Sequence, residues 1–258
     1  MWRDYHNTEY ATEDGALYLK ISYPLFAFAP PRGFVTGKSG YQRIIDHCAA
    51  NDLPVRLCSV SKAVLDEVLK MYPASTAESD RKWSDYLYQA SDLTTLSGRR
   101  YAGQRNHINR FMKEHPAWSF ERITPDNVAK VKVFYEKYSN EHIKDYPAYI
   151  EGNRKALEAL DNMDLYGLFG GALYVAGEIV GVSLGESVGD TLYIHAEKAE
   201  TSFHGSYPML MNQFARMFAT GEIEYINREE DDGVEGLRTS KMSYHPVELL
   251  DKYIVELR

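Results

Sequence analysis

The segment Thr191–Arg228, TLYIHAEKAETSFHGSYPMLMNQFARMFATGEIEYINR, decides the fold because it alternates between strand and helix patterns. Thr191–His195 and Ile223–Ile226 predict two strands, and Gly205–Ser206 opens the helix between them. The apolar residues of this helix have the spacing of one buried face: Tyr207, Leu210, Met211, Phe214 and Phe218. Ligands of open α/β sheets bind at the carboxyl ends of strands, often beside a helix N-terminus. The segment therefore predicts a ligand site.

Composition bounds the class of protein. The chain has 258 residues, 44% of them hydrophobic and 26% charged, which is ordinary for a soluble globular protein of one or two domains. The net charge of −8 argues against nucleic-acid binding by the whole surface, but a local basic patch is compatible with it. Two cysteines, Cys48 and Cys58, are too few for a disulfide framework. Without a signal peptide or an apolar run long enough to span a membrane, we predict a cytoplasmic protein.

The order of predicted elements indicates an α/β protein with mixed sheets. Residues 9–89 predict three strands, a helix, a strand, a helix and a strand. From Ala117 the predicted order is β-α-α-β-β-β-α-β-α-β, which ends with a strand over Val247–Leu257. That second order is the order of the N-acetyltransferase-like fold, whose sheet splays open near its fourth and fifth strands. We therefore predict two tandem acetyltransferase-like domains, an eroded or truncated one over residues 1–95 and a complete one over residues 96–258.

A basic segment, SGRRYAGQRNHINRFMKEH, covers residues 97–115, and no acidic residue occurs from Leu93 to Lys113. In an acidic protein this composition is compatible with a patch that binds phosphates or RNA. The predicted patch consists of four arginines: Arg99, Arg100, Arg105 and Arg110. The alternative is a solvated basic helix face without a ligand.

Three groups of motifs together resemble the phosphatidylglycerol lysyltransferase C-terminal-like family. They are DYLYQASDL with GRRYAGQRNHINRF, YIHAEKAE with GSYPMLMNQFA, and YINREEDDGVEGLRTSKMSYHP. The resemblance covers nearly the whole chain. It implies two tandem acetyltransferase-like domains and kinship to transferases that move an aminoacyl group from tRNA to a lipid or peptide amine or hydroxyl. It also implies residues before the position of Met1, so we expect this chain to be truncated or to start at an internal methionine.

The helix start departs from the acetyltransferase pattern for coenzyme A, in which a basic residue, a central glycine and a last small residue frame the pyrophosphate. Here Gly205 is the central glycine, but Ser202 replaces the basic residue and Tyr207 the small one. The ring of Tyr207 would occupy the space of the phosphates. We therefore predict that Gly205, Ser206 and Tyr207 bind a substrate other than coenzyme A. Alternatively, Ser206 is a plain N-cap and Tyr207 a core residue.

Glu197 and His195 are the first candidates for catalysis, since they are predicted to lie just past a strand end and to face the crevice. Either side chain could deprotonate an attacking amine or hydroxyl, or hold the amino group of an aminoacyl donor. The alternative is an ion pair of Glu197 with Lys198 or Arg228 that fixes the strand ends.

Asn227 and Arg228 follow the next predicted strand and are candidates for substrate binding. The four acids at 229–232 lack the alternating spacing of an oxygen-ligand loop, so no metal site is predicted. They are better suited to capping the next helix or holding a donor ammonium.

Arg238 and Lys241 share one face of the last predicted helix and could join Arg228 in binding phosphate. Tyr244, at the end of that helix, could protonate the leaving group, as a tyrosine on the corresponding helix of acetyltransferases often does.

The function that these residues favour is transfer of an aminoacyl group from aminoacyl-tRNA to an amine, a hydroxyl or a lipid head group. Its partners would be the acceptor end of tRNA and a small-molecule or lipid acceptor. An acyl-coenzyme A-dependent N-acyltransferase and a non-catalytic binding protein are the alternatives. The sequence contains no G-x-S-x-G, Walker A, H-E-x-x-H or paired C-x-x-C motif, so hydrolase, NTPase and zinc functions have no support.

Overall fold

The computed structural model describes residues 4–33, 37–142 and 147–258. In those ranges, no helix combines the length and the apolar composition needed to cross a membrane. The strands are β1 Glu9–Glu13, β2 Ala16–Ile21, β3 Ala27–Phe28, β4 Arg32–Gly33, β5 Arg56–Val60, β6 Thr76–Ser79, β7 Asp85–Gln89, β8 Trp118–Arg122, β9 Phe169–Val175, β10 Glu178–Val188, β11 Thr191–Ala199, β12 Tyr225–Asn227, β13 Glu248–Leu250 and β14 Tyr253–Glu256. The helices are α1 Lys38–Ala50, α2 Lys62–Met71, α3 Ala90–Thr95, α4 Ala102–Glu114, α5 Val128–His142, α6 Pro147–Asp161, α7 Met163–Tyr166, α8 Ser206–Phe218 and α9 Glu235–Met242.

The chain divides into two compact units. Unit 1 comprises residues 1–85, 230–234 and 249–258, and unit 2 comprises residues 86–229 and 235–248. This division by contacts differs from the predicted boundary at 95/96, because two later segments of the chain return to unit 1. The assignment of residues 1–95 and 96–258 to two acetyltransferase-like domains stays a prediction.

Unit 1 is built on a mixed sheet of order β1-β2-β3-β5-β14-β6, in which β4 also pairs with β2. The hairpin of β1 and β2 turns at Asp14-Gly15, as predicted, and both turn residues have positive φ. Ser61 caps α2 through its side chain, which accepts from the amide of Val64. The core contains Ala16, Tyr18, Phe28, Tyr41, Ile44, Cys48, Leu57, Val60, Leu65, Val68, Val255 and Leu257.

The closing strand predicted over Val247–Leu257 is wrong in two respects. It is split into β13 and β14, and β14 pairs antiparallel with β5 and β6 in the first sheet. Val255 and Leu257 are buried there among the core residues of unit 1. Single-sequence periodicity identifies a strand but not its partner, which explains the assignment to the other domain.

The second sheet is also mixed and has the order β13-β7-β12-β11-β10-β9-β8. Its long strands β9, β10 and β11 form an antiparallel meander, and β11 and β12 pair in parallel. The buried face of α8 packs against β9, β10 and β11. The two mixed sheets confirm the predicted mixed α/β class.

The predicted end of β11 at His195 is also wrong, since the strand continues to Ala199. Ala196 pairs with Leu184 and Ile194 with Gly185, so His195 is an extra residue in a β-bulge. Polar residues after Ile194 had indicated a loop. Pairing with β10 holds them in the strand instead, so His195, Glu197 and Lys198 lie within β11 rather than past it.

Candidate functional site

The sheet of unit 2 opens between β11 and β12. The two strands pair only at three positions, Thr191 with Tyr225, Leu192 with Ile226 and Tyr193 with Asn227, whereas β11 stays paired with β10 up to Ala199. Side chains of β11 after Tyr193 and of the residues after Asn227 therefore meet where β12 no longer follows β11. This opening is the splayed region that the predicted fold requires.

A buried ion pair bridges the two sides of this opening. Arg228 donates from Nη2 and Nε to the same oxygen, Oε2 of Glu197, over 2.7 and 3.1 Å. Only 7% of the Arg228 side chain and 12% of the Glu197 side chain are exposed. Burial lowers the pKa of Arg228, but Glu197 and the neighbouring Tyr88 and Tyr244 outweigh it and hold the guanidinium charged. The ion pair was one of the two alternatives that the sequence left open for Glu197.

Tyrosines surround this pair. The Arg228 guanidinium carbon lies 5.0 Å from the ring centre of Tyr244 and 6.0 Å from that of Tyr88. Burial raises the pKa of Tyr244 to about 12, the Arg228 charge opposes this shift and the Glu197 charge adds to it. Burial, and the Glu197 charge after it, also raise the pKa of Tyr135 well above its ordinary range. These hydroxyls stay protonated at neutral pH, so Tyr244 is suited to the predicted donation of a proton.

Some buried polar atoms of the Glu197–Arg228 pair and its neighbours, together called the Glu197–Arg228 cluster, form no hydrogen bond with the described residues. Four buried atoms have no hydrogen-bond partner among the described residues: Glu197 Oε1, Arg228 Nη1, Tyr135 Oη and Ser183 Oγ. Ser183 pairs across from Glu197 in the sheet, so their side chains share a face. Buried polar atoms are nearly always hydrogen-bonded, and exceptions occur where a ligand or water completes a site. The cluster is therefore the best candidate for a binding site in unit 2.

His195 has both ring nitrogens occupied. Nδ1 lies 2.7 Å from Oε1 of Glu229, and Nε2 lies 3.1 Å from Oε1 of Glu186. Burial lowers the pKa of His195, but the two carboxylates outweigh it, and the net shift is upward. Because both ring nitrogens are bonded to carboxylates, neither is free to accept a proton from a substrate, so a base role for His195 stays a prediction that this geometry disfavours.

At the start of α8, part of the polar capacity is used within the protein itself. The amide of Ser206 donates to the carbonyl of Phe203 (3.0 Å), its hydroxyl donates to Glu200, and Pro208 has no N–H. Gly205 has a φ of +85°, and a Cβ at this position would lie 2.4 Å from the carbonyl oxygen of His107 on α4. Few donors remain for a phosphate at this helix start. Gly205 is the N-cap of α8, without a side-chain cap, and Ser206 is the first helical residue, so the alternative of Ser206 as a plain N-cap is wrong. Substrate binding by Gly205, Ser206 and Tyr207 stays a prediction.

Tyr207 and Lys198 both contact Tyr138 on α5. The hydroxyl of Tyr207 lies 3.2 Å from that of Tyr138, and the Lys198 amine lies 5.7 Å from the centre of the Tyr138 ring. Burial, followed by the neighbouring Tyr138, raises the pKa of Tyr207 far above its ordinary value. Tyr207 is thus a half-buried residue with a satisfied hydroxyl.

Lys241 and Asn227 stabilise the residues directly after β12. The Lys241 amine donates to the carbonyls of Arg228 and Glu229 (3.2 Å to the latter), and Oδ1 of the buried Asn227 accepts from the Glu229 amide over 2.7 Å. Lys241 therefore positions the residues after β12, and the structure does not bring it to Arg228 as part of a phosphate cluster. Arg238 is half-buried on α9.

The acidic run 229–232 sends its side chains to different partners. Glu229 binds His195, Glu230 binds Lys252 (2.8 Å), and Asp231 lies 3.4 Å from Arg81 and accepts from the Gly233 amide. Across the described ranges, no cluster of three or more His, Cys, Asp or Glu could hold a metal ion.

Three of the four patch arginines have intramolecular partners. Arg100 pairs with Asp92 (2.6 Å), Arg110 pairs with Glu114 on the same helix, and Arg105 donates to the carbonyls of Leu96 and Gly98 after α3. Arg99 is exposed. Arg105 thus caps a helix end. The RNA patch stays a prediction, with less free charge than its composition indicates.

Two open hollows on unit 2 lie elsewhere. One, of about 450 Å³, lies between α4, β8 and α8, and Trp118, Phe120 and Arg216 are among its lining residues. The other, of about 500 Å³, lies beside it around Thr94, Thr95 and Arg216. Both are shallow and lack a convergent set of buried polar groups, so the chemistry favours the Glu197–Arg228 cluster as the site.

Residue-level reasoning missed Tyr88, Tyr135, Tyr138 and Ser183. Tyr88 was visible in the DYLYQ strand, and twenty tyrosines in the chain were a general signal of polar contacts in the core. Nothing in the local pattern of α5 distinguished Tyr135 from the other inward-facing residues. Its position beside Glu197 depends on how α5 packs on the sheet.

Comparisons with known proteins agree with the fold. A conserved protein of unknown function from Bacteroides thetaiotaomicron is 33% identical with a TM-score of 0.93, over 100% of this chain and 88% of that one. The C-terminal domain of a putative lysylphosphatidylglycerol synthetase from Agrobacterium fabrum has a TM-score of 0.70 at 14% identity, over 97% of this chain and 83% of that one. The fold is acetyltransferase-like, as predicted.

A curated relative, the uncharacterized protein MYCGA3080 of Mycoplasmoides gallisepticum, is 26% identical over 176 residues, which are 67% of this chain and 56% of the relative. The chain therefore matches little more than half the length of that protein. The family model described as phosphatidylglycerol lysyltransferase, C-terminal, matches residues 1–256. The predicted family is thus confirmed, and the chain belongs to the phosphatidylglycerol lysyltransferase C-terminal family.

Proposed function

We propose that the chain transfers an aminoacyl group from aminoacyl-tRNA to an amine, a hydroxyl or a lipid head group. The observation that carries this proposal is the buried pair of Glu197 and Arg228, each with one buried polar atom that has no partner among the described residues. Family membership supports the reaction class, since the family is named for a lysyltransferase.

The two unpartnered atoms match the two polar ends of an aminoacyl ester. Its ammonium group would donate to Glu197 Oε1 in a charge-assisted hydrogen bond. Its ester carbonyl, one carbon away from the amine, would accept from Arg228 Nη1. A donor bound in this way would be oriented for attack, and most of the rate enhancement would come from positioning.

Coenzyme A is a poorer match. A pyrophosphate needs several free backbone amides at the start of α8, but Ser206 uses its amide within the loop and Pro208 has none. The occupied helix start therefore supports a donor that does not depend on this cradle.

Equilibrium binding at 25 °C tests the proposal. Fluorescently labelled tRNA charged with a mixture of amino acids is compared with the same tRNA after deacylation, and acetyl-coenzyme A serves as competitor. We expect charged tRNA to bind at least about tenfold more tightly, which corresponds to about 1.4 kcal/mol. Equal affinity for the two tRNAs, or binding of acetyl-coenzyme A alone, would exclude the proposal.

The Glu197→Gln variant tests whether the preference for charged over deacylated tRNA depends on the Glu197–Arg228 pair. We expect this variant to bind charged and deacylated tRNA equally, because the neutral amide loses the charge that attracts the ammonium. Glu178→Gln, at an exposed position of β10, is the matched control and should retain the full preference. A preference retained by Glu197→Gln would show that the ammonium is recognised elsewhere.

A further inference from the structure

Two histidines meet at the surface of unit 2, His107 on α4 and His204 in the turn before α8. Nδ1 of His107 lies 3.1 Å from Nε2 of His204, and the ring centres are 5.1 Å apart. His107 is exposed and His204 is half-buried, so solvent reaches the pair. The contact is a hydrogen bond between one N–H and one lone pair, since a neutral imidazole has one of each.

Backbone packing holds the two rings at this separation. A Cβ on Gly205, the residue after His204, would lie 2.4 Å from the carbonyl oxygen of His107, so the glycine lets the turn approach α4 closely. On the other side of His204, the ring of Phe203 packs on that of His115, the C-cap of α4, with ring centres 5.0 Å apart. Both neighbours of His204 are therefore held against α4, and the two imidazoles are positioned before any ligand arrives.

The two facing nitrogens have the separation of two ligands on one metal ion. With metal–nitrogen bonds of about 2.0–2.1 Å, a separation of 3.1 Å gives a nitrogen–metal–nitrogen angle of about 100°. That angle lies between the right angle of square-planar sites and the wider angle of tetrahedral ones. Imidazole nitrogen suits zinc, nickel and copper ions, whereas magnesium and calcium prefer oxygen ligands.

The charges beside the pair are of both signs. Arg110 and Glu114, on the following turns of α4, form an ion pair of 2.7 Å. The hydrogen bond from Arg110 lowers the pKa of Glu114, and His204 and His115 lower it further. Glu114 thus lies within electrostatic reach of His204, and a cation bound there would have a carboxylate as well as a guanidinium near it.

We propose that His107 and His204 form a binding site for a divalent late transition-metal ion, with Cu²⁺ bound more tightly than Zn²⁺. The ligands are Nδ1 of His107 and Nε2 of His204, and water fills the other positions, since the described residues contain no cluster of three such ligands. The ring that donates the hydrogen bond moves its proton to its other nitrogen through solvent, so both rings stay neutral. The site does not depend on the proposed aminoacyl transfer.

NMR of the wild-type protein tests which nitrogens bind the metal. The histidine rings are labelled with 15N, and Zn²⁺ is added up to a millimolar excess in a buffer that does not bind metal. We expect Nδ1 of His107 and Nε2 of His204 to move to the chemical shift of metal-bound nitrogen, and an equal concentration of Mg²⁺ to move neither. Unchanged signals, or changes confined to other histidines, would overturn the proposal.

Calorimetric titration with Cu²⁺ measures the affinity in variants. We expect His107→Asn and His204→Asn each to raise the Kd about tenfold or more, because a single imidazole no longer chelates the ion. The matched control is His47→Asn, at an exposed position of α1, and it should bind Cu²⁺ like the wild type. Circular dichroism without metal checks that each variant is folded. Wild-type affinity in both His107→Asn and His204→Asn would place the ion elsewhere and end the proposal.

Thermal unfolding separates a metal site from a hydrogen bond that is only structural. A ion that binds the native state raises its Tm, so Zn²⁺ should raise the Tm of the wild type and of His47→Asn. It should leave the Tm of His107→Asn and His204→Asn nearly unchanged. If all four proteins respond equally to Zn²⁺, the pair is a structural contact alone and the proposal is wrong.

Discussion

The start of α8 and the Glu197–Arg228 pair are two polar regions of the same unit, and they differ in how their hydrogen bonds are used. At the helix start, the Ser206 amide and hydroxyl are bonded within the loop, and Gly205 packs directly on α4. At the buried pair, one atom of each partner has no hydrogen bond among the described residues. A loop whose sequence resembles a ligand-binding motif can thus already use its polar groups in internal hydrogen bonds. Buried polar groups without partners are the better indication of where a ligand would fit.

Replacement of Arg228 should cause the largest loss of stability among the variants proposed here. In Arg228→Met the Glu197 carboxylate stays buried without its counter-ion, so we expect a loss of about 3–5 kcal/mol in the free energy of unfolding. Chemical denaturation at neutral pH measures it.

Two controls accompany this variant. The double variant Arg228→Met with Glu197→Leu should recover most of the loss, since no isolated charge remains buried. Arg110→Met, at an exposed ion pair, should stay within about 0.5 kcal/mol of the wild type. A single Arg228 variant as stable as the wild type would mean that the pair is hydrated in solution.

The Gly205→Ala variant tests whether the start of α8 is packed directly against α4. A Cβ at this position meets a backbone oxygen at 2.4 Å, and its φ of +85° is strained for alanine, so we expect a loss of about 2–3 kcal/mol. Gly177 is the matched control, because it has the same φ but open space around it, and Gly177→Ala should cost about 1 kcal/mol. Equal losses in the two variants would show that α4 does not press on the helix start.

The smallest expected change in stability is for replacement of His195, whose two ring nitrogens are already bonded to Glu229 and Glu186. Its pKa is raised above the ordinary value of about 6.5, so its contribution is complete below that pH and is lost as pH rises through the raised pKa. We therefore expect the wild type to exceed His195→Gln in stability by on the order of 1 kcal/mol near pH 6, and by less near pH 9. Unfolding curves at both values test it, and a constant difference would contradict the carboxylate contacts.

Local patterns predicted much of the fold. The Asp14-Gly15 turn, the Ser61 cap and the apolar face of α8 are each decided within a few residues, and each is observed. The predictions that were wrong concern which strands pair with each other. The end of β11 depends on pairing with β10, and the sheet of β14 depends on strands nearly two hundred residues earlier in the chain.

The candidate site shows the same division. Glu197, Arg228 and Tyr244 were singled out from the sequence, and the structure brings them together. Tyr135 was not singled out from the sequence, because its position beside Glu197 depends on the packing of α5. Pro208, which has no N–H, is a local signal against a phosphate site at the helix start.

The sequence by itself determined the family, the mixed α/β class and the existence of the two strands nearest to Glu197 and Arg228, because repeating patterns and motifs within short segments carry that information. Only the tertiary structure decided which polar groups are already satisfied. Hydrogen bonding depends on contacts between distant segments, such as Gly205 against His107 and Arg228 against Glu197. For that reason the structure favours the buried pair over the helix start as the candidate site, and substrate binding at the helix start stays a prediction.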